Sequence, residues 1–180
     1  MNRFLVALSA TAALLVLAPA PAYAADPAPC VKGESESRSH SSVDDGEIRY
    51  TKGSQYDADV RHAIAAWQYA GARIKILPDR ATTVNDLHFE DFSDSKSSTA
   101  GEWKFNAAPG FTDYIRFNKA RMSLYTPKKR RSVAAHELGH ALGLCHKDMV
   151  KTDSLMWPGV QEDYDVPQPV DKANYRKLWG

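Results

Sequence analysis

The sequence has few cysteines, no excess of charge and no apolar run long enough to cross a membrane. Its 180 residues include 23 Lys and Arg, 22 Asp and Glu, and only two cysteines. Without a basic excess, nothing in the composition favours nucleic acid as a partner. With 43% hydrophobic and 25% charged residues, the composition is that of one globular domain and excludes a disordered or fibrous chain.

The most pronounced apolar run stands at the N-terminus. It extends from Phe4 to Ala18 after Arg3, and it is shorter than the ~20 residues that a helix needs to span a bilayer. Small residues at Ala22 and Ala24 suit a signal peptidase. We therefore predict a signal peptide at residues 1–24, cleaved after Ala24, in preference to an uncleaved membrane anchor.

The two cysteines indicate whether an exported chain would carry a lipid anchor or a disulfide bond. Cys30 is a poor acylation site, because the preceding Pro27-Ala28-Pro29 lacks the apolar and small residues of a lipoprotein signal. We thus expect a secreted, extracellular protein without stable membrane association. In an oxidising compartment, Cys30 and Cys145 are expected to form a disulfide.

Residues 25–46 lack large apolar side chains and are rich in Ser, Glu, Asp and Pro. Such a segment cannot bury enough surface to order itself, so we predict a polar N-terminal arm. From residue 47 to residue 180 the pattern is that of one α+β domain. Strands are predicted at 48–51, 73–77 (ended by Pro78), 87–90, 103–105 and 114–117, and a helix at 57–69.

A second helix is predicted up to Leu142. It begins either at Thr126, where Thr can cap and Pro127 suits the first helical position, or at Ser132. The basic run Lys128–Arg131 would crowd the positive end of the helix dipole in the first case. That run has two interpretations, attraction of acidic substrates or a solvated loop, and such runs are more commonly solvated.

The end of this helix carries the pattern H-E-x-x-H-x-x-G-x-x-H, from His136 to His146. Residues four apart lie on one helix face, so His136 and His140 can point at one metal ion. Gly143 can adopt a left-handed conformation that ends the helix and lets His146 approach the same ion. Three nitrogens with one open position are typical of a catalytic zinc site.

Glu137, next to the first of these ligands, completes the predicted chemistry. Zinc makes its bound water acidic enough to attack a carbonyl near neutral pH. The Glu137 carboxylate can take a proton from that water and pass it to the leaving amine as a general base and acid.

With this motif the chain resembles the metzincin metallopeptidases, and within them the matrixins, most closely those secreted by bacteria. Ser154-Leu155-Met156-Trp157-Pro158 resembles the metzincin Met-turn, whose methionine, here Met156, forms a hydrophobic floor below the metal ligands. Residues 169–180 resemble the last matrixin helix. The resemblance implies a zincin-like domain with a twisted, mainly parallel sheet, an antiparallel edge strand, an active-site helix, the Met-turn and a C-terminal helix.

The chain also departs from the matrixin pattern. The loop that binds structural zinc and calcium in matrixins holds Asp91 and Asp94 here but no His-Gly-Asp pattern. It therefore argues against a second zinc ion and leaves calcium open without supporting it. The usual cysteine-switch sequence is absent, so Cys30 has three alternatives: the disulfide with Cys145, zinc coordination in a short latent arm, or a free thiol.

We predict a monomeric, secreted zinc endopeptidase acting on protein or peptide substrates with one catalytic zinc ion. An extended substrate is expected along an edge strand within residues 99–106, with Pro158 and Gly159 lining the pocket beyond the cleaved bond. The rival hypotheses are an inactive zinc-binding protein, which the presence of Glu137 disfavours, and a zinc hydrolase of non-peptide bonds. His62, His88 and Tyr164 are assigned no catalytic role.

Overall fold

The computed structural model of the protein describes residues 25–108 and 110–180, so the predicted signal peptide lies outside the described residues. The strands are β1 (Glu47–Lys52), β2 (Lys75–Pro78), β3 (Leu87–Phe92), β4 (Gly101–Lys104) and β5 (Asp113–Asn118). The helices are α1 (Asp57–Trp67), α2 (Lys119–Met122), α3 (Pro127–Ala141) and α4 (Pro169–Trp179).

The five strands form one sheet in the order β2-β1-β3-β5-β4. Neighbouring strands are parallel except β4, which pairs with β5 in the antiparallel sense at one edge. Ile48, Phe89 and Ile115 on the three central strands are fully buried, as expected for parallel strands covered by helices. The predicted α+β class and its mixed sheet with an antiparallel edge are confirmed.

Several predicted element boundaries differ from the structure by a few residues, and two of the differences have a clear physical reason. Pro78 is the last residue of β2 and pairs with Tyr50, although the sequence predicts that it breaks the strand. Because β2 lies at a sheet edge, a residue without an N–H group is tolerated there. Ser132 does not begin α3 but is buried inside it, and Thr126 is the N-cap, accepting a hydrogen bond from the Lys129 N–H.

The basic run at the start of α3 is not a loop, and its two arginines are paired with carboxylates. The Arg130 guanidinium lies 3.2 Å from the buried Asp59 carboxylate, and Arg131 lies 2.8 Å from Asp165. These partners offset the unfavourable position of positive charge near the helix N-terminus. The run therefore fastens α3 to α1 and to the segment before α4.

Polar groups of α4 hold two distant segments. The buried Asp171 carboxylate accepts hydrogen bonds from the Ser154 hydroxyl and from the Leu155 N–H at 2.8 Å. The Tyr175 hydroxyl accepts from the N–H groups of Arg73 and Ile74. The C-terminal helix predicted at residues 169–180 is thus present and supports the turn around Met156.

The N-terminal arm, residues 25–46, lies against the segment that follows α3. Ser42 N–H donates to the Ala141 carbonyl at 2.7 Å, and Ser37 N–H donates to the Gly143 carbonyl at 3.0 Å. Cys30 and Cys145 form a disulfide bond. The arm has little apolar surface of its own, and contacts with the domain give it its order.

Removing the disulfide should lower stability, because it links residues 115 positions apart. A link of that span restricts the unfolded chain by about 4 to 5 kcal/mol in the loop-entropy model. We expect Cys30→Ala/Cys145→Ala to reduce the free energy of unfolding toward that amount, measured by guanidinium titration of the mature protein. A loss below about 1 kcal/mol would contradict the expectation.

Gly143→Ala should destabilise the protein more than Gly71→Ala. Both glycines have positive φ, +82° and +93°, but a Cβ at Gly143 would lie 2.3 Å from the Ser37 carbonyl oxygen, whereas one at Gly71 meets nothing within 4 Å. The matched pair shares a backbone cost of about 1–2 kcal/mol, and overpacking adds about 1–3 kcal/mol at Gly143. If both variants lose equal stability in thermal unfolding, the arm moves away from the added Cβ without cost and the expectation is wrong.

Candidate metal centre and active-site cleft

The end of α3 brings the first two motif histidines together. His136 and His140 lie one turn apart, and their Nε2 atoms are 3.1 Å apart. The helix ends directly afterwards, where Leu142 is its C-cap. The helical repeat alone therefore accounts for this half of the metal centre.

Gly143 turns the chain back toward the same point. With its positive φ of +82°, it allows the Leu144 N–H to reach the Gly139 carbonyl at 3.0 Å. This left-handed turn is a common helix ending. Three residues later the Nε2 atom of His146 lies 3.1 Å from that of His140.

The other ring nitrogen of each histidine faces an oxygen acceptor. The Nδ1 atoms of His136 and His140 lie 3.0 Å and 2.8 Å from the carbonyl oxygens of Leu155 and Leu144. Nδ1 of His146 lies 2.9 Å from the Glu34 carboxylate. An acceptor at Nδ1 places the proton there, so all three Nε2 atoms present lone pairs to one another.

Three converging lone pairs repel one another unless a cation lies between them. Tetrahedral zinc with Zn–N bonds of about 2.0–2.1 Å separates its ligand nitrogens by about 3.3 Å. The two 3.1 Å separations between Nε2 atoms are close to this value. The three histidines form a group that could hold a metal ion, and their donor set fits zinc.

Burial keeps the two helical histidines neutral. It lowers the pKa of His136 well below its ordinary range, with the charge of His140 adding to the effect. Burial and the charge of His146 lower the pKa of His140 to about 4. Because only neutral imidazole binds metal, both side chains are ready as ligands at neutral pH.

Glu137 is buried beside the histidines. Burial raises the pKa of its carboxyl group to about 8, opposed by a hydrogen bond from the Trp103 backbone and reinforced by the charge of Glu102. A nearby cation favours the ionised form of a carboxyl group. Burial therefore raises the pKa of Glu137, and a cation beside it would lower that pKa again.

Gly101 allows the edge strand to approach this carboxylate. A Cβ there would lie 2.6 Å from a methyl carbon of Val133 and 3.0 Å from Cγ of Glu137. The edge strand predicted within residues 99–106 includes Gly101 without singling it out, and the structure makes it the first residue of β4. No local pattern distinguishes a glycine of this kind from a loop glycine.

Met156 is fully buried. It packs against Gly139, which lies between His136 and His140 in the sequence. A Cβ at Gly139 would lie only 2.4 Å from the methionine sulfur. The neighbouring Leu155 supplies the carbonyl that faces His136, and Lys147 N–H donates to the Met156 carbonyl at 2.8 Å. The turn thus supports two histidine-bearing segments from below.

An open cleft of about 590 Å³ runs past the histidines and Glu137. Its walls are β4 with the residues before it, the inner face of α3 and the segment 159–161. Of the edge predicted at residues 99–106, residues 99–103 line the cleft, as does Gly159. Pro158 was also predicted there, but it is not among the lining residues.

The remaining side chains considered in the sequence lie elsewhere. His62 contacts the Asp165 carbonyl at 2.8 Å, His88 contacts the Thr51 hydroxyl at 2.6 Å, and Tyr164 packs on the Trp157 ring. The Asp91 and Asp94 carboxylates accept hydrogen bonds from nearby loop groups. Calcium binding, which the sequence leaves open without supporting it, is not tested by these contacts.

Of the three alternatives for Cys30, the structure has the disulfide. The sulfur atoms of Cys30 and Cys145 lie near the Glu36 carboxylate, but they are bonded to each other and are not thiolate ligands. A latent arm with Cys30 on zinc is therefore incompatible with this arrangement. None of the helices within residues 25–108 and 110–180 has the length and apolar character for a membrane crossing.

Two arm residues at the site were missed by sequence reasoning. Glu34 contacts His146, and the His40 ring packs edge-on against Trp103 and Phe105. Both stand in a polar segment without periodicity. The available signal was the pairing of Cys30 with Cys145, which places the arm beside His146.

Comparison with known proteins identifies the family of this chain. The matrixin family model matches residues 45–180, which include all of the helices and strands described above. A comparison with curated proteins finds no match. Matrixins are zinc-dependent endopeptidases, and both the sheet and the histidine group agree with that assignment. By its sequence and fold, the chain belongs to the matrixin family of metallopeptidases.

Proposed function

We propose that this matrixin is a secreted endopeptidase in which His136, His140 and His146 bind the catalytic zinc ion and Glu137 is the general base. One observation carries the proposal. Three imidazole Nε2 atoms converge beside a buried carboxylate on the wall of an open cleft. A purely structural zinc site would be closed by a fourth protein ligand.

Zinc, when bound, lowers the pKa of a coordinated water to about 7 and polarises a carbonyl group. Glu137 takes the proton of the attacking water and delivers it to the amine that leaves. Glu137 is largely buried between α3 and β4 and still lines the cleft, where its carboxylate can meet that water. The unprotonated form is the one that accepts the proton, so the neighbouring cation is needed to offset the effect of burial.

The substrate is proposed to bind as an extended strand. β4 pairs with β5 on one side only, and residues 98–103 line the cleft on the other. Unpaired N–H and C=O groups of an edge strand can bind the backbone of an extended peptide. An open cleft with such an edge suits a polypeptide better than a small non-peptide substrate.

Secretion is supported by two features of the chain. Residues 1–24 have the composition of a signal peptide, and Cys30 and Cys145 form a disulfide bond. Disulfides of this kind persist in oxidising compartments. We propose that the mature enzyme begins near residue 25 and acts outside the cell.

Glu137→Ala should abolish peptidase activity without removing zinc. We expect the mature protein to cleave casein or a peptide, a chelator to stop cleavage, and the variant to retain about one zinc ion per chain. Loss of a general base costs about 10²- to 10⁴-fold in kcat. Cleavage rate and bound zinc are measured on the same preparations.

Glu90→Ala is the matched control, because Glu90 is a carboxylate on β3 that pairs with Arg116 outside the cleft. It should keep wild-type activity. The mechanism is wrong if zinc-loaded wild type cleaves nothing, or if Glu137→Ala cleaves as fast as wild type.

A further inference from the structure

The Glu34 side chain of the N-terminal arm contacts one of the three motif histidines directly. One oxygen of the Glu34 carboxylate lies 2.9 Å from Nδ1 of His146. The other oxygen accepts a hydrogen bond from the His146 backbone N–H at 2.8 Å. The carboxylate therefore holds both the ring and the main chain of the same residue.

His146 differs from the other two histidines in how it is held. His136 and His140 stand on α3, and their Nδ1 atoms face main-chain carbonyls of the domain. His146 follows the turn at Gly143, outside any helix or strand, and its side chain is 27% exposed. Neither helical geometry nor close packing sets the direction of its ring.

Glu34 itself is fastened on both sides. Val31 N–H donates to the His146 carbonyl at 3.0 Å, and Glu34 N–H donates back to the Val31 carbonyl at 3.1 Å. The Glu36 carboxylate lies 2.7 Å from the ammonium group of Lys147, which is fully buried. The carboxylate of Glu34 is thus presented from a fixed backbone.

We propose that Glu34 is a positioning residue for the third zinc ligand, so that the arm is a working part of the metal centre. The inference rests on the zinc site proposed above. Glu34 fixes the proton of His146 on Nδ1 and aims Nε2 at the other two nitrogens. Carboxylates that hold a ligand histidine in this way typically raise metal affinity about 10- to 100-fold.

This role extends the site beyond the residues that the family match covers. The match begins at residue 45, whereas Glu34 lies in the preceding arm. A chain shortened to the matched region would retain all three histidines and Glu137. It would lose the group that orients one of those histidines.

A simpler role for Glu34 would be to fasten the arm to the domain. Glu36 provides the comparison, because its carboxylate also links the arm to the domain but contacts Lys147 and not a histidine. Glu36→Gln weakens that link while the disulfide keeps the arm attached. Asp26→Ala is a second control, because it removes an exposed carboxylate of the arm that contacts none of the three histidines.

The test measures zinc affinity and the visible spectrum of the cobalt(II)-substituted mature protein. Zinc affinity is obtained by competition with a chromophoric chelator. We expect Glu34→Ala to bind zinc about 10- to 100-fold more weakly and to shift the cobalt spectrum. Glu34→Gln, which keeps one acceptor oxygen and the side-chain size, should lie between that variant and wild type.

Asp26→Ala and Glu36→Gln should keep wild-type zinc affinity and cobalt spectrum. The inference is overturned if Glu34→Ala and Glu34→Gln match wild type in both measurements, or if Glu36→Gln weakens zinc binding as much as Glu34→Ala. His146→Ala distinguishes this failure from that of the proposed function. If His146→Ala binds zinc as tightly as wild type, the three-histidine centre itself is wrong.

Discussion

The close approach of the end of α3 to three neighbours is the constraint on which the site depends. β4 lies against the helix at Gly101, the Met156 turn lies against Gly139, and the arm lies against Gly143. At each contact a Cβ would come within 2.6 Å of a neighbouring atom. Because real side chains cannot approach so closely, glycine at these three positions lets the cleft, the floor and the arm meet around one helix end.

The same proximity creates an electrostatic requirement. Imidazoles and a carboxyl group are buried together, and burial disfavours their charged forms. Hydrogen bonds to Nδ1 satisfy one nitrogen of each ring and leave the other facing its neighbours. A cation at the point where the Nε2 atoms converge would relieve this arrangement and so stabilise a polar cluster within a packed domain.

The structure around His146 shows how a short polar segment can become part of a functional site. Residues 25–46 have no apolar core, yet a disulfide, main-chain hydrogen bonds and the buried pair of Glu36 with Lys147 hold them in place. These interactions join the arm to residues 141–147, which are about a hundred positions away in the sequence. They therefore hold the segment that carries His146, the one motif histidine that does not stand on α3.

By itself the sequence determined the α+β class and most helix and strand positions, and it predicted that His136, His140 and His146 converge with Glu137 beside them. It could do so because these features depend on short-range spacing, in the period of a strand or helix and in the turn at Gly143. The tertiary structure alone decided that Gly101 opens the approach of β4 to Glu137 and that Glu34 faces His146. Those contacts join residues up to 112 positions apart, and their formation depends on packing, which no local pattern encodes.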